Sequence, residues 1–293
     1  MPTKEPDKEI EIDKKVIRSL IDTQFCDLSS LPIEFLDSGW DNENYRLGSK
    51  YLVRLPRRKE SANLIENEIK WLSFLESKLP IKIPASIKIG QPTNFYPWKW
   101  TINPWFEGDT ADKAGLDDSE ALLFVSFLKI LHQHSPGDGP VNHYRGVDLE
   151  KKAKDVKDRI ERLKLKTRLI TKKIEKLWDI ALTESKSNEN CLIHGDLHPQ
   201  NIIVEDKKIK AVIDWGDITT GDPANDVASL WMIFNNKKTR QIALTEYGAS
   251  QVLINRSIGW AIFFGTLLLD TGWGINEQLT NIGSQILRNI NEE

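Results

Sequence analysis

The stretch from Cys191 to Trp215, CLIHGDLHPQNIIVEDKKIKAVIDW, sets His194, Asp196, Asn201 and Asp214 at fixed offsets between apolar runs. Two carboxylates and an amide suit the handling of a phosphoryl group, whose negative oxygens need a hard cation to neutralise and bridge them. Asn201 and Asp214 offer the hard oxygen ligands that Mg²⁺ prefers, which leaves Asp196 to accept a proton from an attacking hydroxyl and to orient it. The flanking residues supply the scaffold. Cys191-Leu192-Ile193 predicts a strand delivering His194-Gly195-Asp196 onto a loop, Ile202-Ile203-Val204 a second strand, and Ile209 to Ile213 a returning strand after a turn at Asp206-Lys207-Lys208. That hairpin carries Asp214 back toward Asn201. His194 and Asp226 are read as braces that hold the loop by hydrogen bonding.

The interval from Asp196 to Asn201 equals that of the protein-kinase catalytic loop. Asp214 stands where that fold keeps the metal-binding Asp of its Asp-Phe-Gly motif, with Trp215 replacing the Phe. Together with Gly221-Asp222-Pro223 and Asp226 downstream, HGDLHPQN and IDWGD resemble the aminoglycoside phosphotransferase family, relatives of the choline kinases. The resemblance implies an α+β, bilobal, protein-kinase-like fold. A nucleotide-binding lobe with a small antiparallel sheet would occupy residues 1–103, a hinge 104–108, and a larger, mainly helical lobe with catalytic loop and acceptor site 109–293. It further implies a small-molecule kinase that moves the γ-phosphoryl group of ATP, or alternatively GTP, to a hydroxyl with the help of Mg²⁺. Aminoglycosides, macrolides, other antibiotics, amino alcohols and sugars are all acceptors within that superfamily, and the motifs do not choose among them.

A phosphotransferase needs a second element to hold the nucleotide, and the first third of the chain offers one. A helix is expected near Asp13 to Thr23 and a strand near Ile33 to Ser38, followed by a turn at Gly39-Trp40-Asp41-Asn42 and strands around Tyr45-Leu47 and Tyr51-Leu55. Gly39 and the small polar side chains of Ser38, Asn42 and Asn44 suit a loop that covers phosphates. With one Gly where protein kinases have three, the same segment also reads as an ordinary hairpin turn. By analogy with the kinase fold, Arg54 takes the place of the phosphate-binding Lys. A partner is sought from periodicity: between Ser61 and Leu79, Glu68 falls on the stripe of Leu64, Leu72 and Leu75, so either Arg54 neutralises the carboxylate there, the favoured reading, or the helix rotates to let Glu68 reach water. After a strand near Ser86 to Gly90, Trp100 to Asn103 is expected as the last small-lobe strand, stopped by Pro104, which cannot donate a ladder hydrogen bond. By analogy with the kinase fold, backbone groups of about Asn103 to Phe106, Trp105 included, would meet the base; the same stretch equally reads as a proline-rich turn packed by Trp98, Trp100 and Trp105.

From Asp117 onward the period is helical, over Ser119–His132, Leu149–Leu165, Ile170–Thr183, Pro223–Phe234, Thr239–Tyr247, Gln251–Leu269 and Asn276–Ile290. The later helices would face Asp196 with Trp260, Asp270, Trp273 and Glu277 as walls of an acceptor site. Glu150 to Lys176 holds twelve Lys or Arg against five Asp or Glu, leaving −10 for the rest of a chain whose net charge is −3. Helical i,i+4 pairs, Asp155 with Arg159 and Asp158 with Arg162, and the absence of interleaved aromatics read as a solvated helix face and not a nucleic-acid surface. The acidic remainder would favour encounter with a polycationic acceptor.

The 293 residues, 40% hydrophobic and 28% charged, suffice for two modest cores. Cys26 and Cys191 form no paired framework, the first thirteen residues are too charged for an export signal, and Ile258 to Leu269 falls short of the ~20 apolar residues that span a bilayer. A cytoplasmic enzyme, monomer or homodimer, with no membrane partner is the expectation. Two rival readings remain. One is a metallohydrolase using His132, His134, His194, Asp196 and His198; the other is a kinase-like nucleotide-binding protein without transferase activity, suggested by Arg54 and the sparse glycine loop.

Overall fold

A computed structural model describes residues 7–134, 136–142, 144–184 and 190–293; residues 1–6 of the charged N-terminal segment lie outside that description. The chain divides into two compact units, Met1–Lys78 with Lys82–Glu107, and Leu79–Ile81 with Gly108–Glu293.

In the first unit Asp13 starts helix α1 (Lys14–Gln24), its carboxylate accepting the backbone N–H groups of Lys15 and Val16. Strands β1 (Ile33–Ser38), β2 (Asn42–Leu47) and β3 (Tyr51–Pro56) follow, then helix α2 (Lys59–Leu75) and strands β4 (Lys88–Gly90) and β5 (Trp100–Pro104). The strands pair antiparallel in the order β1-β2-β3-β5-β4. One face is closed by the apolar side of α1, where Ile17, Leu20 and Ile21 join Tyr45, Leu47, Val53, Leu55, Trp100 and Ile102 in a dry core. Helix α2 buries Ile65, Leu72 and Leu75, and Glu68 with them. Arg54 on β3 meets that carboxylate with both terminal nitrogens, one of the two bonds at 3.1 Å, so the buried negative charge is neutralised by a forked contact.

Two sequence expectations shift. The polar run Asn42-Glu43-Asn44 reads as a loop by composition, yet it pairs with β1 on one side and β3 on the other, because tertiary pairing overrides weak local preference. Pro104 lies inside β5, opposite Tyr51, at the end of the ladder where its missing N–H costs little. The N–H of Trp105 supplies the next bond, to the carbonyl of Lys50 at 2.8 Å.

The second unit begins with β6 (Asp109–Thr110), α3 (Ala111–Ala114), α4 (Ala121–His132), α5 (Ala153–Lys164), α6 (Lys172–Thr183) and β7 (Cys191–Ile193). It continues with β8 (Ile202–Glu205), β9 (Lys208–Val212), β10 (Thr219–Gly221), α7 (Ala224–Val227), α8 (Ser229–Ile233), α9 (Lys237–Tyr247), α10 (Gln251–Gly272) and α11 (Glu277–Asn291). Two small antiparallel sheets, β6-β8-β9 and β10-β7, sit among the helices. The β8–β9 turn holds Asp206 and Lys207 at φ 51° and 60°, the left-handed pair that matches the twist of a tight hairpin. The expected helix at 223–234 is two short ones, and the 149–165 helix opens with a 3₁₀ turn over Leu149–Lys152.

Helix α10 is long and apolar enough to cross a membrane, but most of its apolar stretch is buried against α5, α6, α7 and α11. Against α11 the backbones nearly touch: a Cβ on Gly283 would lie 2.4 Å from the Leu269 nitrogen. The ion pairs expected along α5 are also rearranged. Asp158 pairs with Lys154 on the exposed side of α5, the exposed Arg162 reaches Asp270 of α10 at 2.6 Å, and Arg159 lies over the Phe263 ring of α10.

Removing only the cation from the buried pair should be the more damaging change. Arg54→Met should cost about 3–5 kcal/mol, whereas Arg54→Met with Glu68→Met together should recover most of that loss. Urea denaturation of the two variants checks this, and a double variant as weak as the single one would refute it.

Candidate active site

The catalytic-loop segment is held from beneath by a buried acid. Asp226, in α7 and fully buried, accepts the backbone N–H of His194 at 2.7 Å and of Gly195 at 2.9 Å, and lies 3.4 Å from Nε2 of His132. The His194 ring donates from Nε2 to the Ile213 carbonyl at 3.0 Å and accepts the Asp196 N–H at Nδ1, which ties the loop to the residue before Asp214. It packs against the fully buried Trp215, the residue in place of the kinase Phe. Gly195 takes φ 86°, and a Cβ there would meet the Asp217 carbonyl at 2.7 Å, so no other residue fits. The bracing roles expected of His194 and Asp226 correspond to these bonds.

Asp196 keeps 19% of its side chain exposed and is gripped from one side by a residue the sequence did not single out. Arg145, from the loop between α4 and α5, places Nη2 at 2.8 Å from Asp196 Oδ1 and donates from Nε to Asp217 Oδ2 at 2.9 Å. Burial opposes charge on Asp196, but Arg145 and then His198 outweigh it and hold the carboxyl below the usual carboxylate range. The guanidinium is itself buried, which disfavours its charge, yet Asp196, Asp217 and Asp214 more than compensate and raise its pKa. Asn142 orients the arrangement by donating from Nδ2 to Asp217 Oδ1 at 2.8 Å. The signal for a missing cation was present, since Asp196, Asp214 and Asp217 crowd one short segment; nothing in the pattern pointed to residue 145.

Asn201 and Asp214 come together as the hairpin expectation required, the Ile213 N–H donating to the Asn201 carbonyl at 2.9 Å. The Asn201 Nδ2 donates to the Asp196 carbonyl at 2.8 Å, which turns Oδ1 into the atom that could serve a cation. Asp214 stands at φ 61°, a left-handed conformation uncommon outside glycine and typical of functional positions. One amide and one carboxylate oxygen fit Mg²⁺, which takes few protein ligands and fills its shell with water and phosphate oxygens. The zinc-type alternative does not fit. Both ring nitrogens of His132 and of His194 already have partners, and Nδ1 of His198 accepts the Gln200 N–H. Among the described residues no three His, Cys, Asp or Glu side chains converge on one metal position.

The remaining candidates fare unevenly. In the first unit Ser38 Oγ donates to Glu43 and Asn44 Nδ2 to Asp37, so these side chains shape the β1–β2 hairpin. Asn42 lies in β2 with its Oδ1 buried and without a hydrogen-bond partner, and Asn103 donates from Nδ2 to the Pro84 carbonyl. The Trp105 ring is covered by Arg46 at 3.7 Å, which also pairs with Glu107. Of the four proposed acceptor walls Trp260 is removed by burial: it is 1% exposed and packs edge-on to Phe263 and tilted to Phe264 in the core. Asp270 pairs with Arg162 and Lys166, Trp273 lies under Lys166, and Glu277 is exposed in the first turn of α11. A cavity elsewhere in this unit, about 150 Å³ and bordered by Gly146, Asp148, Glu150, Glu184, Asp222 and Arg256, carries a surplus of carboxylates.

Asp226→Asn would turn an amide N–H toward one of two buried backbone donors. It should cost about 1–3 kcal/mol and loosen the loop that presents Asp196. Thermal denaturation together with hydrogen exchange at Gly195 and Asp196 tests this, and wild-type stability with unchanged exchange would contradict it.

Residues 32–253 match the model of the phosphotransferase enzyme family. Over 216 residues, 67% of each chain, the sequence is 26% identical to the uncharacterized protein YcbJ of Bacillus subtilis (strain 168). Among solved structures, the GDP complex of aminoglycoside 2'-phosphotransferase-IIIa superposes with a TM-score of 0.66 at 18% identity, over 96% of this chain and 99% of that one. The streptomycin-ATP complex of APH(2")-IIa gives 0.59 at 22% identity over 88% and 91%. Macrolide 2'-phosphotransferase type I gives 0.58 at 18% over 94% and 98%. At these identities the likeness carries the fold, a kinase-like α+β fold, while the family match spans most of the chain, residues 194–226 included. The chain belongs to the phosphotransferase enzyme family.

Proposed function

We propose that this small-molecule phosphotransferase moves the γ-phosphoryl group of ATP, with GTP as the alternative donor, to a hydroxyl of a small cationic acceptor. The observation that carries the reading is the joining on one braced segment of Asp196, the turned amide of Asn201 and the strained Asp214. A lone pair of the acceptor oxygen forms the new bond to the γ-phosphorus as the bond to the β,γ-bridging oxygen breaks, its electrons leaving with the nucleoside diphosphate. The hydroxyl proton passes to the Asp196 carboxylate and on to solvent. A carboxyl held this acidic by Arg145 is a weak base, so Asp196 acts chiefly by orienting the hydroxyl and takes the proton late, as the forming O–P bond makes that proton acidic. Mg²⁺, held by Asn201 and Asp214, would neutralise the phosphate oxygens.

Arg54 stays cationic while it neutralises Glu68, which supports a phosphate-binding role for it in the first unit. Solved structures of similar fold were obtained with GDP, ADP and ATP, and with kanamycin, gentamicin and streptomycin, which supports a nucleoside triphosphate donor and a polyhydroxylated acceptor.

Nucleotide turnover should be screened against aminoglycosides, macrolides and other hydroxylated amines, with Asp196→Ala as control. Loss of Asp196 should lower kcat, with the best acceptor or with water, by about 10²–10⁴-fold while the thermal shift given by Mg²⁺-nucleotide persists. An Asp196→Ala protein turning over at the parental rate would overturn the assignment.

A further inference from the structure

Arg145 does more than balance charge. Its loop is anchored without its side chain: the Asn142 N–H donates to Thr219 Oγ1 at 2.9 Å, and Asn142 Oδ1 accepts the N–H groups of Tyr144 and Arg145 at 2.8 and 3.1 Å. Gly146 sits against Thr219 and Gly221 so closely that a Cβ would come within 2.9 Å of Thr219. The guanidinium is therefore carried to Asp196 by a segment whose position is already fixed. It arrives aligned, because Asp217 takes Nε and Asn142 in turn holds Asp217. The Phe264 ring of α10 lies 5.5 Å from the guanidinium carbon.

The consequence for Asp196 is geometric. Nη2 of Arg145 occupies Oδ1, while Oδ2 has His198 Nε2 at 3.6 Å. At 3.6 Å that contact is longer than a hydrogen bond, and the same His198 nitrogen lies 3.4 Å from Asn201 Nδ2. A carboxylate free to rotate would present either oxygen; one gripped at Oδ1 presents the other.

We infer that Arg145 is a positioning residue of the transfer site, clamping Oδ1 of Asp196 so that Oδ2 is the oxygen that meets the acceptor hydroxyl. The inference rests on the reading of Asp196 given above. It assigns a function to a loop outside the catalytic motif, and it makes Asp217 and Asn142 part of the same device. Misplacement of a reacting group by about 1 Å costs on the order of 10²-fold in rate, so the clamp should be felt in kcat and hardly in nucleotide binding.

Arg145→Ala should lower kcat about 100-fold with the Mg²⁺-nucleotide thermal shift preserved, and added guanidinium ion should restore part of the rate. Arg145→Lys should recover little, since an ammonium cannot hold two carboxylates in one plane. Asp217→Asn keeps Arg145 and weakens its alignment, so it should lower kcat several-fold and serves as the test should Arg145→Ala lose its fold. A parental kcat in folded Arg145→Ala or in Asp217→Asn would overturn the inference, as would a rate loss that guanidinium leaves untouched and that comes with lost nucleotide binding. Asp196→Ala separates the two claims: inactive Asp196→Ala beside active Arg145→Ala sinks the clamp alone, whereas active Asp196→Ala sinks the underlying assignment.

Discussion

The buried carboxylate of Asp226 is the constraint on which the catalytic segment rests. Fully removed from water, it is tolerable only because two backbone N–H groups and a histidine meet it. Those same bonds fix His194 and Gly195, so the demand of a buried charge for partners becomes the force that shapes the loop. From there the geometry propagates by short links. Gly195 turns at positive φ, Asp196 is thrust outward, and the His194 ring reaches the Ile213 carbonyl to lock the strand that ends at Asp214. A helix of four residues thus controls two acids that lie well apart in the chain.

Each unit uses an arginine in the same physical way, though for different ends. Arg54 neutralises a carboxylate on a helix that buries its apolar face, and both partners are nearly dry. Arg145 stands between Asp196 and Asp217, and the first of these keeps access to solvent. The enclosed pair ties α2 to β3, while the half-enclosed one leaves a carboxylate oriented and still open to solvent. The lowered pKa of Asp196 follows from that arrangement.

Much of this was legible in the sequence because local patterns encode it. The strand, loop and hairpin from Cys191 to Asp214 follow from alternating apolar runs and a tight turn, and Glu68 on an apolar helix stripe called for the cation that Arg54 provides. The β2 strand hid behind its polar Asn42-Glu43-Asn44, since its stability comes from neighbours on both sides. Arg145 was invisible for a similar reason: it lies in an aperiodic loop about fifty residues before its partner, and only folding brings the two together. Trp260 belongs to the core because an aromatic at helical spacing is core more often than platform, and Asp270 is paired because an acid on a helix finds a cation when a basic helix packs beside it. Asp214's left-handed backbone leaves no trace in composition at all.

A crystal structure with Mg²⁺ and a non-hydrolysable ATP analogue tests most directly the proposal that Asn201 and Asp214 hold the metal at a phosphoryl-transfer site whose acceptor side is Asp196. Oxygen atoms of Asn201 and Asp214 should lie at about 2.0–2.1 Å from the cation, with the γ-phosphate between the metal and the Asp196 carboxylate. A cation bound elsewhere, or a γ-phosphate turned away from Asp196, would contradict it.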